Sequence, residues 1–230
     1  MELLREDLHR VVSHLPSDLI EQIKLESTTV VAGGFIRDLI AGDKIRDIDV
    51  FGATKELLSM VATNLTMGRN GRLHYTDNAI TLLSPPRMPI QFITRWLYLS
   101  STDILASFDF TVCQVLVKWD NLNSKWVGEC GEAFYSDLAS KRLRYTNPVR
   151  EEEAGGSMLR VIKFVEKGYH ISPESLGKVI GRLVSKIDFE RLEIGRADIG
   201  SVITGLLREV DPLKIIDGVE MRDDHAEVQL

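Results

Sequence analysis

The sequence contains few cysteines and no long apolar runs. Cys113 and Cys130 are the only cysteines among 230 residues, and no cysteines and histidines are spaced as metal ligands would be, so we predict two reduced thiols. No apolar run approaches the roughly 20 residues of a membrane-spanning helix. The acidic, amphipathic start MELLREDLHRVV does not resemble a signal peptide. These absences predict a cytoplasmic protein with no membrane partner.

Positive charge is not in excess either. The chain carries 28 Lys and Arg residues against 34 Asp and Glu residues, a formal net charge of -6. Nonspecific binding of nucleic acid depends on positive charge, so a polyanionic partner would have to meet a local basic patch. Apolar residues make up 44% and charged residues 27% of the chain, which is ordinary for one large globular domain or two small ones.

Apolar periodicity divides the chain into two parts. It predicts a helical segment over 3–25 that Pro16 splits, with Ser17 as a cap, and helices within 35–42, 55–65 and 102–108. β-branched and alternating runs predict strands within 28–32, 46–52, 72–84 and 88–96, and a hairpin from 110–119 and 124–129. Helical spacing then dominates, within 135–145, 157–169, 173–187 and 201–210. We therefore predict an α/β head domain over 1–133, an all-helical domain over 134–230 and a loose tail over 221–230.

Two aspartates flank an isoleucine in the run RDIDVFG. Alternate side chains of a strand point to opposite faces, so Asp47 and Asp49 share one face while Ile48 and Val50 point into the core. Adjacent carboxylates repel each other unless a cation lies between them or both are well solvated. Mg²⁺ prefers carboxylate and phosphate oxygens, and paired metal ions can assist phosphoryl-type transfer. Asp47 and Asp49 are therefore candidate metal ligands.

Two adjacent glycines end the strand before these aspartates. Gly33 and Gly34 lie where a strand runs into a helix, and bare backbone N–H groups at such a position can bind phosphate. Arg37 and Asp38 follow in the helix, where Arg37 either contacts a phosphate or pairs with a carboxylate to brace the turn. A lone Gly-Gly is usually only a turn, and a lone Asp-x-Asp is often a solvated face. The six positions together, in this order on a strand–turn–helix–strand unit, favour a phosphate site.

The stretch GGFIRDLIAGDKIRDIDVFGAT resembles the GG-x-x-R-D…D-x-D signature of the class II nucleotidyltransferases. This family includes bacterial poly(A) polymerases and CCA-adding tRNA nucleotidyltransferases. The resemblance implies a polymerase-β-like palm with a mixed sheet as the head domain, followed by a helical neck. It also implies an NTP substrate, ATP or CTP, bound with Mg²⁺ by Asp47 and Asp49, with Gly33, Gly34, Arg37 and Asp38 in the nucleotide-binding set.

A second stretch, ILASFDFTVCQV, resembles the R-R-D-F-T-x-N-A motif of the same family. The resemblance places Asp109 near the nucleotide ribose or the metal ions, as a third catalytic residue. Ser107 and Phe108 occupy the positions of the two arginines. From the residues alone, Asp109 lies at the start of an apolar strand, where an aspartate at a helix-to-strand turn is an equally good interpretation.

A third stretch, 136–169, resembles the neck motif of the family in its MLRVIKF part. The base-reading aspartate and arginine of CCA-adding relatives fall at Ala154 and Ser157, which puts selection between C and A in doubt. Basic residues accompany this stretch: Lys141, Arg142, Arg144, Arg150, Arg160 and Lys163. They form either a patch for the triphosphate or an RNA end, with Arg144 and Arg160 as nucleotide-binding candidates, or a solvated helix face balanced by acidic 151–153. On a helix, Lys141, Arg144 and Tyr145 would share one side.

These observations predict a metal-dependent enzyme that transfers NMP from an NTP to an acceptor hydroxyl. The family resemblance favours an RNA 3′ end, such as that of tRNA, as the acceptor. Two alternatives remain open: a protein or small-molecule hydroxyl as acceptor, and a non-catalytic nucleotide-binding or assembly module. The C-terminal helices are candidates for contact with a protein partner.

Overall fold

The computed structural model describes residues 1–148, 155–185, 187, 189 and 198–207. The helices are α1 (Arg5–His14), α2 (Ser17–Leu25), α3 (Gly34–Ala41), α4 (Lys55–Arg69), α5 (Ser101–Ser107), α6 (Phe134–Ala139), α7 (Gly156–Glu166), α8 (Pro173–Val184) and α9 (Ile199–Leu206). The strands are β1 (Val30–Ala32), β2 (Ile48–Phe51), β3 (Arg72–Tyr75), β4 (Ala79–Ser84), β5 (Arg87–Ile93), β6 (Val115–Asp120), β7 (Lys125–Cys130), β8 (Arg142–Leu143) and β9 (His170–Ile171).

Seven strands form one mixed sheet in the order β3-β4-β5-β2-β1-β6-β7. The strands β2 and β5 are parallel, and the other neighbours are antiparallel. The end of β1 and the beginning of β2 therefore lie at the same end of the sheet. This mixed sheet with its helices confirms the predicted fold class of the head.

The two faces of the sheet belong to different apolar clusters. On one face, Ile48 and Val50 of β2 join a large core to which α1 to α4 also contribute. On the opposite face, Phe51 packs with Ile104 of α5 and with Phe108 in a much smaller cluster. Because Asp49 alternates with Ile48 and Val50, it lies on the second face, which has the smaller apolar cover.

Glycine and short polar side chains mark several of the helix ends. Gly42 adopts a left-handed conformation at φ 75° and ends α3, as a glycine beyond the last helical residue commonly does. The side chains of Thr54 and Ser100 cap α4 and α5. Ser17, predicted to cap α2, lies inside that helix, and Pro16 occupies the cap position without a side-chain hydrogen bond.

Two sequence predictions near the head–neck junction are wrong. The helix expected over 135–145 ends at Ala139, because Lys141 has a φ of 48°, which a right-handed helix does not allow. Arg142–Leu143 instead pairs in parallel with His170–Ile171, so the described residues after 134 include a short two-stranded sheet beside the helices. The strand expected from 110 begins only at Val115, after a 3₁₀ turn over Thr111–Cys113.

Several of the predictions fall on residues outside the described ranges. Arg150, Ala154 and the acidic run 151–153 lie outside the described residues. The same holds for the end of the last predicted helix and for the tail over 221–230. Within the described ranges, the helices are all too short or too polar to cross a bilayer. The cytoplasmic location stays a prediction, and so does the boundary between 1–133 and 134–230.

Candidate active site

Asp47 and Asp49 lie at the beginning of β2, at the end of the sheet where β1 runs into α3. Asp49 is the second residue of β2, and Asp47 is the residue directly before the strand begins. Ile48 and Val50 are buried in the large core. Both aspartates are half-buried. Gln91 of β5 is the register neighbour of Asp49 and also contacts Asp47, which brings both aspartates to the same side of the sheet.

A neutral amide holds this pair in place. Gln91 of β5 is the register neighbour of Asp49, and its Nε2 donates a hydrogen bond of 2.8 Å to Oδ2 of Asp47. Gln91 is only 5% exposed, so this hydrogen bond is shielded and orients the Asp47 carboxylate. Sequence reasoning missed Gln91, although its position between buried Ile90 and Phe92 in MPIQFI was a signal that its side chain faces away from the core.

Gly33 makes the turn from β1 into α3. It has a φ of 79°, and a Cβ on it would approach Cε1 of Phe108 to 3.0 Å, so both the backbone conformation and the space favour glycine. Its N–H donates to the carbonyl of Val115 in β6 at 2.9 Å, so this donor is already occupied. An anion at this turn would therefore meet the amides of Gly34 and the residues that follow, rather than that of Gly33.

Arg37 and Asp38 form a buried ion pair on α3. Nε of Arg37 donates to Oδ1 of Asp38 at 2.7 Å, and Nη1 of Arg37 lies 3.2 Å from Sγ of Cys113. The guanidinium also stacks 4.7 Å from the ring centroid of Phe164, and Nζ of Lys167 donates to Oδ2 of Asp38 at 3.1 Å. Burial raises the pKa of the Cys113 thiol, which therefore stays neutral. These contacts brace α3 against the neck, and a phosphate contact by Arg37 would require several of them to break.

Asp109 precedes the 3₁₀ turn and faces the neck helix α7. Its Oδ2 accepts a hydrogen bond of 2.6 Å from Nε of Arg160, and its side chain is 2% exposed. Its carbonyl accepts the N–H of Thr146 at 2.9 Å. Asp109 is thus part of the contact between head and neck, and its role toward a ribose or a metal ion stays a prediction.

The basic residues of 141–163 do not form one helical face. Arg144 pairs with buried Asp137 of α6 at 3.1 Å, whereas Arg160 pairs with Asp109. The predicted shared side of Lys141, Arg144 and Tyr145 is wrong, because the helix ends before them. The nucleotide-binding roles of Arg144 and Arg160 stay predictions.

The donors at the beginning of β2 suit a hard divalent cation that a substrate helps to bind. Within the described ranges, no group of three or more His, Cys, Asp or Glu residues is arranged to hold a metal ion. Mg²⁺ commonly takes only one or two carboxylates and completes its shell with water and substrate phosphate oxygens. Asp47 and Asp49 are such a pair, so the residues present fit Mg²⁺ bound together with an NTP.

The fold matches solved structures of CCA-adding enzymes. A CCA-adding enzyme in complex with ATP aligns over 90% of this chain and 52% of its own, with a TM-score of 0.56 and 20% identity. The Thermotoga maritima CCA-adding enzyme complexed with tRNA aligns over 90% of this chain and 51% of its own, with a TM-score of 0.55 and 19% identity. The chain therefore has the nucleotidyltransferase fold, and it spans about half the length of these structures.

Sequence comparison identifies the particular family. Residues 2–141 match the Gabija anti-defense 2 family, and the chain belongs to this family. Gabija anti-defense 2 of Bacillus phage SPbetaL7 is 25% identical over 175 residues, covering 75% of this chain and 41% of the phage protein. The A-adding tRNA nucleotidyltransferase of Geobacter sulfurreducens is 25% identical over 236 residues, covering 92% of this chain and 26% of that enzyme. The chain spans less than half the length of either relative.

Proposed function

We propose that this chain is a metal-dependent nucleotidyltransferase that transfers NMP from an NTP to the 3′ hydroxyl of an RNA. The observation that carries the proposal is the pair Asp47 and Asp49 on one sheet face, at the same sheet end as the Gly33-Gly34 turn. The fold and the A-adding and CCA-adding relatives support the class of reaction. The acceptor rests on the relatives alone.

The chemistry is a displacement at the α-phosphorus of the NTP. The acceptor oxygen forms a bond to this phosphorus, the bond to the bridging oxygen breaks, pyrophosphate leaves, and the hydroxyl proton passes to solvent. Mg²⁺, when bound, would supply positive charge for the developing negative charge. The protein positions the groups: Asp47 and Asp49 bind the cation, Gln91 orients Asp47, and the amides from Gly34 onward bind phosphate oxygens. Catalysis then comes from positioning and charge stabilisation rather than from a covalent step on the protein.

A direct experiment combines the protein, Mg²⁺ and each α-labelled NTP in turn with total RNA. We expect label in RNA with one or two of the four NTPs, lost in Asp47→Ala/Asp49→Ala and when Mg²⁺ is omitted. Separating RNA, protein and small molecules after the reaction identifies the acceptor class. No transfer to any fraction by a folded protein would contradict the proposal.

A non-catalytic nucleotide-binding module is the second candidate. The ion pair of Asp109 with Arg160 favours it, because this pair withholds a third acidic residue from the site. Tight NTP binding that persists in Asp47→Asn/Asp49→Asn, with no transfer by the unaltered protein, would support this candidate.

The family name supplies a biological setting for either function. We infer that the chain opposes a defence system named Gabija, and that the transfer reaction is the means. In cells that carry this system, phage with the unaltered gene should form more plaques than phage with Asp47→Ala/Asp49→Ala. Equal plaque numbers would show that the anti-defence role does not depend on the carboxylate pair. The cytoplasm, where NTPs and RNA occur together, is the location that we propose for the reaction.

A further inference from the structure

A concave site lies in the neck and is lined by residues other than those of the carboxylate site. It is a cleft of about 600 Å³ between the β8–β9 pair and the first turns of α8. We call it the basic cleft, and its defining residues are Arg142, Arg144, His170 and Lys178, with Tyr145 and Ser175 also in its lining. From these residues we propose that the basic cleft binds the phosphate backbone of the RNA acceptor, an inference that rests on the proposed function.

The short parallel sheet creates the positive wall of the basic cleft. Arg142 and His170 are register partners in β8 and β9, and both are exposed. Among the residues that the structure describes, Arg142 contacts no acidic side chain. Its guanidinium is thus available to a ligand, and its planar set of donors suits a phosphate group.

The guanidinium of Arg144 is held by a buried carboxylate, while much of the side chain stays exposed. Nε and Nη2 of its guanidinium each lie 3.1 Å from an oxygen of Asp137, and Asp137 is 1% exposed, whereas the Arg144 side chain is 51% exposed. A fixed guanidinium loses less conformational freedom when it binds a further anion. Arg144 is therefore preorganised toward the basic cleft.

A hydrogen bond joins the two sides of the basic cleft, the segment after β8 and the start of α8. The Tyr145 N–H donates to Oγ of Ser175 at 3.2 Å, which fixes the start of α8 against the segment after β8. Lys178 pairs with Glu174 at 2.7 Å in an exposed contact, and such contacts are weak enough to exchange for a stronger anion. With Arg142, Arg144 and Lys178 against Glu174 and the Asp137 that holds Arg144, the site keeps an excess of one positive charge on a chain of net charge -6.

The wall of the basic cleft continues toward the head. The Thr111 N–H donates to the carbonyl of Arg144 at 3.1 Å, and the Thr146 N–H donates to the carbonyl of Asp109 at 2.9 Å. Phe110 and Tyr145 also form a β-bridge. These contacts join the lining of the basic cleft to the segment of the head that contains Asp109. A phosphodiester chain suits the basic cleft better than a compact anion, because the cations of its lining come from both the β8 segment and α8 and can contact successive phosphates.

The test measures binding without turnover. The probe is a fluorescein-labelled RNA minihelix with a free 3′ hydroxyl, titrated with Asp47→Ala/Asp49→Ala protein at several salt concentrations. Adding Arg142→Gln and Lys178→Gln should weaken binding roughly tenfold and lower the slope of log K against log salt by about 1.4 to 1.8. Arg5→Gln, at an exposed position of α1, is the matched control and should change neither quantity. Arg144 is kept, because its removal would leave the buried Asp137 carboxylate unpaired.

The outcomes separate this inference from the proposed function. Loss of affinity in the cleft variant, and not in Arg5→Gln, supports the basic cleft whether or not transfer occurs. Unchanged affinity in a folded cleft variant, equal loss in Arg5→Gln, or displacement of the RNA by polyglutamate of equal charge would overturn it, even if transfer is active. Displacement by inorganic phosphate or ATP at a concentration equal to that of RNA phosphate would show a mononucleotide or free-anion site and would also overturn it.

Discussion

Two pairs of aspartates lie in the two family-like motifs of this chain, and their environments differ. Asp38 and Asp109 are 6% and 2% exposed and each faces a cation of the neck, Lys167 or Arg160. Asp47 and Asp49 are half-buried at a strand start, beside the amide of Gln91. A buried carboxylate with a nearby guanidinium or ammonium has its charge matched within the fold, and half-buried carboxylates on one sheet face can also bind a cation that a ligand brings. Burial and the neck cations make Asp38 and Asp109 bracing residues, whereas the binding role of Asp47 and Asp49 stays a prediction.

The largest effect is expected for substitutions of Asp47 and Asp49. Asp47→Asn and Asp49→Asn should each lower kcat for NMP transfer by roughly 10²–10³-fold, as for the loss of one key transition-state contact. Removing one of two like charges should leave the melting temperature unchanged or raise it in the absence of metal. Steady-state transfer and thermal unfolding check the two expectations. Glu21→Gln, on the exposed face of α2, is the control, and a melting temperature lowered without a change in kcat would contradict the comparison.

The next largest effect is expected for the buried ion pair of Arg37 with Asp38. Arg37→Met should lower the free energy of unfolding by about 3 kcal/mol, because it leaves the buried Asp38 carboxylate with Lys167 alone. The KM for NTP of the remaining folded protein should stay near that of the unaltered chain. Urea unfolding and initial rates at a temperature below the transition measure the two quantities. A large rise in KM with little loss of stability would assign Arg37 to phosphate binding instead.

A smaller effect is expected at the amide between the strands. Gln91→Ala should weaken Mg²⁺ binding by about tenfold, because the Asp47 carboxylate loses the hydrogen bond that orients it. Titration calorimetry with Mg²⁺ and a non-hydrolysable NTP reports this without turnover. Gln22→Ala removes a glutamine whose hydrogen bond to Asn64 is exposed and serves as the control. Equal affinity in Gln91→Ala and the unaltered chain would show that Gln91 is only a packing residue.

The smallest effect lies at a carboxylate far from both pairs. Asp18 accepts two hydrogen bonds of 2.6 Å from Arg69, and the hydrogen bond from Arg69 lowers the pKa of Asp18 below 3.8. A lowered folded pKa contributes stability above about pH 4, and this contribution is lost as the pH falls through the folded value. Asp18→Asn should therefore lower the free energy of unfolding at pH 6 and have little effect below the folded pKa. A difference that grows as the pH falls would contradict this sign.

The local signals in the sequence were sufficient for much of the fold. The β-branched run at 28–32, the helical spacing within 35–42 and the hairpin around 120–125 predicted elements that the structure confirms within a few residues. Each is set by interactions between near neighbours in the chain, such as turn conformation and side-chain alternation. Tertiary contacts overrode the helical pattern of 135–145: Lys141 turns the chain, and Arg142–Leu143 pairs with a strand nearly 30 residues later.

In the candidate site, too, some features follow from local sequence and others from tertiary contacts. The alternation of Asp47 and Asp49 needs only the period of a strand, so the sequence predicted their shared face. Gln91, Arg160 and Lys167 come from distant parts of the chain, and no spacing rule brings them to Asp47, Asp109 and Asp38. By itself, the sequence determined which acids this protein has and how neighbouring ones alternate, because local geometry repeats along a chain. Only the tertiary structure decided which acids meet a cation or an amide, because those encounters depend on how distant segments pack.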